Sequence, residues 1–281
     1  MTSPKTFRWK DPSEWEPLVT AVIPAALRPE LIGLLRQHRK VFDYLDDVLA
    51  FQDVYSKLGL YADVAAQLPN HLRHAFRHVR MFHCCRPVDV KSYYEHGIRV
   101  LNPRKLDEQF RALFLGNPSF PNIAAAHIDD AIEAMAGSYG RDGFVYFGLD
   151  DRYLIEYCGH YLIYGSEYLQ CLAAHVGHDA NCLEKAELRK LGLPTVVAVD
   201  VPIECFSDHE LCELGDAALH AWAYRLLHRQ PEIRMINFAI SINQGLPPRS
   251  IKGHFHPECV PDPFRFRIPY RYKAVDDVHT R

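Results

Sequence analysis

The sequence lacks the long apolar segments that would place it in a membrane or on a secretion route. No stretch of about 18 uncharged apolar residues occurs, so no segment is expected to span a bilayer. The first residues, MTSPKTFRWKDPSEWEPL, contain no apolar run of the kind found in signal peptides. We therefore expect a cytoplasmic protein without a membrane partner.

Several catalytic and nucleotide-binding motifs are also absent. There is no GxGxxG, no GxxxxGKS/T, no HExxH and no GxSxG, which removes the commonest dinucleotide, nucleoside triphosphate, zinc-protease and esterase interpretations. The eight cysteines include no CxxC pair and follow no regular spacing. Without a secretion signal they are expected to be reduced thiols.

No charge of one sign dominates the sequence. It contains 32 Lys and Arg and 35 Asp and Glu, which gives a net charge of −3. This balance argues against a protein that coats bulk nucleic acid. One short stretch is locally basic, HLRHAFRHVR at 71–80. We interpret it as the solvated face of a helix, with a phosphate-binding patch as the alternative.

The hydrophobic period changes along the chain. From 24 to about 80 apolar residues recur at helical spacing, whereas VRMFHCC at 79–85 is a compact apolar run typical of a strand. We therefore predict an α+β protein. A helical N-terminal portion, 1–78, leads into a domain, 79–281, with a split mixed β-sheet and flanking helices.

Individual elements follow from the same patterns and from turn residues. Helices are predicted over 43–58, 60–68, 90–97, 103–116, 127–140, 168–177 and 207–229, and strands over 143–149, 193–203 and 238–244. The aromatic run from 152 to 168 is predicted to extend the sheet as a meander, with turns at 150–151 and 158–159. The Pro-rich tail, 246–269, is expected to be extended at an edge or on the surface.

Three residues stand where a binding site is expected. His83 ends a predicted strand, where its imidazole can donate a hydrogen bond to a sugar hydroxyl or an amide, or be satisfied in the core by a backbone carbonyl. Tyr146, beside glycines, offers a flat face for stacking or belongs to ordinary sheet core. Glu167 opens a helix, where it can be a cap, a catalytic acid or a stabiliser of developing positive charge.

These residues carry a resemblance to a known family. The run from FHCCR through SYYEHGI, followed by GFVYFG, resembles the first two motifs of the ADP-ribosyltransferase fold, the class of diphtheria toxin and poly-ADP-ribose polymerases. In that class one strand carries a His followed by a small residue, a helix then ends in GI or GL, and a later strand reads Gly-x-Tyr-Phe. The family binds NAD in a cleft of a split mixed sheet.

The resemblance implies a role for each residue. NAD would be the substrate, His83 would hold a ribose, Tyr146 would stack on nicotinamide, and a Glu would bind the ribose 2′-hydroxyl and support loss of nicotinamide. We assign that last role to Glu167, with Glu204 and Glu258 as alternatives. The predicted catalytic residues are Glu167 and His83, no metal is assigned, and the predicted NAD-binding residues are His83, Arg86, Tyr146 and Ser166. The resemblance thus implies an ADP-ribosyltransferase, with a protein or a nucleic acid as acceptor, or an NAD glycohydrolase. Bacterial relatives of such enzymes are often toxins or antiphage factors.

Other interpretations stay open. A metal-dependent hydrolase would draw ligands from the His-rich C-terminal part, since imidazole and thiolate both suit zinc; the candidates are His254, His256 and Cys259, with His160, His175 and His178. A non-enzymatic protein would use the N-terminal portion and its basic 71–80 segment to bind a partner or a nucleic acid. A catalytic Cys–His pair would use Cys84 or Cys85.

Overall fold

The computed structural model describes residues 5–37, 54, 56–59, 61–136, 140–177 and 183–272. The protein is α+β, as predicted, with helices outweighing strands and a mostly antiparallel sheet. The predicted helix 43–58 lies largely outside the described residues. The predicted helix 60–68 is the first part of a longer one, Tyr61–Ala75.

The main sheet is six-stranded and mixed. Its strands are β1 Lys5–Phe7, β2 Phe76–Cys85, β3 Val145–Gly148, β4 Thr195–Pro202, β5 Ala239–Ile242 and β6 Ile251–Phe255. Five of them are neighbours in the order β5-β3-β2-β4-β6, and β1 pairs with β2. β1 is parallel to β2, whereas β3 is antiparallel to β2 and β6 to β4. The Pro-rich tail supplies β6 at one end of this order, which confirms its predicted edge position. A separate two-stranded sheet pairs β7 Val260–Pro261 with β8 Pro269–Tyr270.

The chain divides into two compact units, and the first comprises residues 1–81 and 200–240. The helices of the N-terminal portion therefore share a unit with a segment distant in the sequence. The last helix of this unit begins at a capping box, in which Ser207 and Glu210 satisfy each other's backbone donors. The α-helices of this unit whose bounds are described are α1 Pro12–Val19, α2 Arg28–Gln37, α3 Tyr61–Ala75 and α11 Asp208–His228. Helix α11 packs against both α1 and α3.

The second unit comprises residues 82–199 and 241–281. Its helices are α4 Lys91–His96, α5 Pro103–Phe114, α6 Ala125–Ala136, α7 Asp151–Tyr157, α8 His160–Tyr164, α9 Glu167–Val176 and α10 Leu183–Glu187. Helix α9 packs against α5 and α6 through a buried cluster that includes Phe110, Ile128 and Leu172. This packing fixes the position of α9 and therefore of Glu167 at its first turn.

The predicted meander between 152 and 168 is wrong, because this segment forms α7 and α8. Asp150 caps α7 by accepting a hydrogen bond from the Arg152 amide at 3.0 Å. The aromatic and branched side chains that favoured strands instead fill a buried helix face, where Leu162 and Ile163 contact the strand residue Val196. Tertiary packing thus decides against the local β propensity.

The helical interpretation of the basic segment 71–80 is also wrong in its second half. Helix α3 ends at Ala75, and β2 begins at Phe76, three residues before the predicted strand. Phe76 and Val79 are buried against the first unit's core, and β2 pairs with β1 from Phe76 onward. Pairing with a partner strand fixes this boundary, which the local sequence pattern does not reveal.

Within the described residues, no single helix combines the length and the apolarity needed to cross a membrane. Only the two segments Pro12–Val22 and Ala25–Gln37, taken together across a bend of 101°, reach that length and composition.

Candidate functional site

The end of β2 and the middle of β3 bring His83 and Tyr146 together in the second unit. The Nδ1 atom of His83 lies 3.0 Å from the backbone oxygen of Tyr146. Because a carbonyl only accepts, Nδ1 carries the proton, and Nε2 of the neutral ring is an acceptor. A sugar hydroxyl would therefore donate to His83, the reverse of the direction expected from the sequence.

The surroundings of His83 favour its neutral form. Its ring lies 6.4 Å from that of Tyr93 and 5.9 Å from that of Phe147, centre to centre. Desolvation lowers the pKa of His83 below its ordinary value, and the hydrogen bond to Tyr146 opposes this only in part. His83 is thus neutral at neutral pH, with Nε2 ready to accept.

Helix α4 is held near His83 by a close backbone contact at its end. Gly97 has φ +73° and ends α4, as the sequence predicts. A Cβ atom at Gly97 would lie 1.9 Å from the Leu246 oxygen, so only glycine fits. Ile98 and Leu246 then exchange backbone hydrogen bonds of 2.9 and 2.8 Å. This clamp positions α4, whose Tyr93 faces His83.

Glu167 is partly exposed and is held by two donors. Its Oε2 accepts a hydrogen bond from the Tyr161 hydroxyl at 2.8 Å and forms an ion pair with Nη1 of Arg141. Arg141 Nη1 also lies 3.1 Å from the Tyr161 hydroxyl. Both donors contact Oε2, and none of these contacts involves Oε1. Burial raises the pKa of Tyr161 to about 12, so its hydroxyl keeps the donated proton.

Arg141 connects Glu167 with Tyr146. Its guanidinium carbon lies 4.9 Å from the centre of the Tyr146 ring, whose side chain is 40% exposed. This cation–π contact occupies one face of the ring. Arg141 was not among the residues predicted from the sequence, because it lies in the segment before β3 and 26 residues from Glu167. Its position between Gly140 and Gly143, beside the motif that carries Tyr146, was the available signal.

Ser166 and Arg86 differ in what they can offer a ligand. Ser166 precedes α9 but does not cap it, and its Oγ is buried without a hydrogen-bond partner among the described residues. Arg86 instead donates to four backbone oxygens at 2.5–2.9 Å, those of Leu162, Arg189, Leu191 and Gly192. These four contacts give Arg86 a structural role, and its contact with NAD stays a prediction.

The histidines proposed as metal ligands have other contacts. His254 Nδ1 lies 2.7 Å from the Tyr94 hydroxyl, and His256 Nδ1 lies 2.9 Å from the Pro194 oxygen. In the part of the chain that the structure describes, no three His, Cys, Asp or Glu side chains converge on a point that could hold a metal ion. His178 lies outside that part.

The cysteines beside His83 are poorly suited to nucleophilic chemistry. Burial raises the pKa of the Cys84 thiol well above its ordinary value and that of Cys85 to about 12. Because the thiolate is the nucleophile, both side chains are inert at neutral pH. The alternative carboxylates Glu204 and Glu258 are exposed, and neither belongs to the group formed by Glu167, Arg141 and Tyr161.

Much of the basic segment 71–80 is engaged within the first unit. His71 lies 2.5 Å from the Leu18 oxygen, Arg73 pairs with Asp208 at 2.6 Å, and Arg80 pairs with Asp200 at 2.6 Å. These partners reduce the charge that the segment can offer to phosphate groups.

Comparisons with protein-family models, with curated proteins and with solved structures give no match. A function is therefore inferred from the chemistry of the residues around Glu167.

Proposed function

We propose that the chain is an NAD-cleaving enzyme of the ADP-ribosyltransferase class, which transfers ADP-ribose to a macromolecular acceptor or to water. The observation that carries this proposal is the series of contacts from Glu167 through Arg141 and Tyr146 to His83. These are a carboxylate, a cation, an exposed aromatic ring and a neutral imidazole. Together they supply what cleavage of a ribosyl–pyridinium bond needs.

Glu167 would stabilise the reacting ribose. When the bond from C1′ of the ribose to the nicotinamide nitrogen breaks, the bonding electron pair leaves with neutral nicotinamide, and the ribose develops oxocarbenium character. Oε1 of Glu167 would face this positive charge or accept a hydrogen bond from the 2′-hydroxyl, while Arg141 and Tyr161 hold Oε2. The acceptor oxygen or nitrogen then bonds to C1′ and loses its proton to solvent.

Tyr146 and His83 would bind and orient NAD. The nicotinamide ring would stack on the face of Tyr146 opposite Arg141, as offset aromatic rings do. A ribose hydroxyl would donate to Nε2 of His83, since Nδ1 is used by the Tyr146 oxygen. The unpartnered Oγ of Ser166 is the further polar group that we assign to the substrate. Because nicotinamide is already a good leaving group, the protein has mainly to orient NAD. Few catalytic groups are then enough for the reaction.

Nicotinamide release from NAD tests the proposal. We expect the parent to release nicotinamide and Glu167→Gln to lose about 100-fold or more of the rate, the cost typical of removing one preorganised electrostatic group. Glu133→Gln, on the exposed face of α6, is the matched control and should behave like the parent. Equal turnover by Glu167→Gln and the parent, with unchanged thermal unfolding, would refute the assignment of Glu167.

Direct binding separates an inactive enzyme from a wrong ligand. Titration calorimetry should detect NAD binding to the parent, weakened about tenfold in Tyr146→Ala by loss of ring stacking. Leu115→Ala removes a side chain of nearly equal exposure, 41% against 40%, and should leave binding unchanged. If NAD neither binds nor is consumed, the proposal fails as a whole.

A further inference from the structure

The loop between β7 and β8 presents aromatic and basic side chains to solvent. In this loop, Asp262–Ile268, Phe264 is 54% exposed, Phe266 100% and Ile268 60%. Exposed Arg265 and Arg267 alternate with them, and Arg267 pairs with Glu156. Contiguous exposed apolar side chains mark binding surfaces, because leaving them in water is unfavourable. We call this segment the Phe-Arg loop.

The Phe-Arg loop is held in shape by the buried side chain of Asp262. Its Oδ2 accepts hydrogen bonds from the Tyr164 hydroxyl at 2.6 Å and from Arg189 at 2.9 Å. Its Oδ1 accepts from the Phe264 amide at 3.0 Å. Backbone hydrogen bonds from the Arg265 and Arg267 amides to the Asp262 oxygen, at 3.2 and 2.9 Å, close the loop. Phe266 and Arg267 lie at φ +50° and +60°, a conformation that side chains other than glycine adopt at a cost. The side chain and the backbone of Asp262 therefore both hold the loop in which Phe266 is exposed.

A row of rings leads from this loop to the candidate site. The ring of Phe264 lies 5.7 Å from that of His160, which lies 4.0 Å from that of Tyr161. The Tyr161 hydroxyl donates to Glu167. Lys185 adds positive charge along the row, with its Nζ 4.2 Å from the centre of the Phe264 ring. A ligand bound on the loop would thus reach Glu167 along aromatic and basic side chains.

This combination fits one class of ligand best. Aromatic rings that stack on bases, interleaved with cations that contact phosphates, are how proteins bind single-stranded nucleic acid. Three apolar side chains are too few for a stable lipid anchor, since even one myristoyl chain binds membranes only marginally. We propose that the Phe-Arg loop binds single-stranded nucleic acid and, resting on the proposed function, that this nucleic acid is the acceptor of ADP-ribose. A nitrogen or oxygen of the acceptor would bond to C1′, nicotinamide would leave with the electron pair, and the acceptor would lose a proton to solvent.

The first test is a binding titration of the full chain without NAD. Fluorescence anisotropy of labelled single-stranded DNA and RNA oligonucleotides, about 12 nucleotides long to cover a typical site, should show binding that weakens with salt. Phe266→Ser should weaken it about tenfold, the cost of losing one stacked base. Val88→Ser removes another exposed apolar side chain, 81% exposed, and is the matched control.

A second variant tests the phosphate contact. Arg265→Gln should lower the slope of log affinity against log salt by about one, whereas Arg104→Gln on the exposed face of α5 should not. Three results would overturn the proposal. They are no binding of single strands by the parent, equal binding by Phe266→Ser, and capture of phosphatidylglycerol vesicles in place of oligonucleotides. Because the titration contains no NAD, its failure is distinguishable from the failure of nicotinamide release.

Discussion

Arg141 lies against Tyr146, with its guanidinium carbon 4.9 Å from the ring centre, while its Nη1 pairs with Glu167. One cation therefore fixes both the carboxylate that we assign to the ribose and the ring that we assign to nicotinamide. Neither contact is visible in the sequence, although all three residues are. Arg141 is a positioning residue, because it acts through Glu167 and Tyr146.

Removing Arg141 should impair catalysis more than folding. We expect Arg141→Ala to lower kcat/KM for NAD cleavage about 100-fold, the size of loss that misplacing a catalytic group can produce. Arg141→Lys keeps the cation and should recover part of this loss. Steady-state kinetics and thermal unfolding of both variants measure the two effects, with Arg104→Ala as the exposed control. If Arg141→Lys is as impaired as Arg141→Ala, a positioning role through charge is refuted.

His83 should make the stability of the protein depend on pH. Burial lowers its pKa below the ordinary 6.5, so the unfolded chain binds a proton more readily than the folded one. The stability present above pH 6.5 should decline as the pH falls from there through the lowered pKa of His83. His83→Asn keeps a donor for the Tyr146 oxygen but cannot titrate, so it should lose less stability over this window. Urea unfolding at pH 7.5 and pH 5.5 measures the free energy of unfolding of both proteins. An equal loss of stability in the parent and in His83→Asn would contradict the role of His83.

Arg86 should matter for stability and not for NAD. Arg86→Gln removes the guanidinium that donates to four partly buried backbone oxygens and leaves several of them without this donor. At about 1–3 kcal/mol for each unsatisfied group, partly relieved by water, we expect a loss of about 2–5 kcal/mol in the free energy of unfolding. Urea titration measures this, with Arg104→Gln as the exposed control. A stable variant with a raised KM for NAD would restore the sequence-based assignment.

The sequence predicted the fold class because most elements carry their own signals. The helices 103–114 and 208–228 and the strand 195–202 show the periods, caps and apolar runs that define them locally. Helices α7 and α8 do not, because their aromatic and branched residues suit a strand equally well. Only their packing on Val196, which is far away in the sequence, decides between the two.

The residues of the candidate site likewise fall into those that local sequence motifs reveal and those that only tertiary contacts reveal. His83, Tyr146 and Glu167 could be named from motifs, since each stands at the end or the start of a regular element. Arg141 could not be named, because its role depends on two residues to which no sequence spacing connects it. Arg86 shows the converse case, since a basic residue after a strand looks the same in the sequence whether it binds a ligand or four backbone oxygens.

The same substitution at two glycines should have opposite effects. Gly97→Ala would place a Cβ atom 1.9 Å from the Leu246 oxygen at a residue with φ +73°, so the clamp between Ile98 and Leu246 must open. We expect a loss of about 3 kcal/mol or more in the free energy of unfolding. Gly33→Ala, inside α2, adds a Cβ that meets no atom of the described residues outside its own helix within 4 Å, and it should stabilise the protein by about 1 kcal/mol. Thermal unfolding of both variants shows whether each one stabilises or destabilises the protein. A Gly97→Ala variant as stable as the parent would show that stability does not depend on the clamp.

Asp262 should control the order of the Phe-Arg loop. Asp262→Asn keeps the shape of the side chain but removes the charge that faces Arg189, and breaking such a buried pair costs about 3–5 kcal/mol. The loop should then sample open conformations, and trypsin should cut after Arg265 and Arg267 faster than in the parent. Asp129→Asn breaks an exposed pair with Arg111 and should cost less than about 1 kcal/mol, with no change in cleavage at the loop. Limited proteolysis followed by mass spectrometry measures the rate of cleavage after Arg265 and after Arg267. Equal cleavage in the two variants would mean that Asp262 does not hold the loop, and that the exposure of Phe266 has another cause.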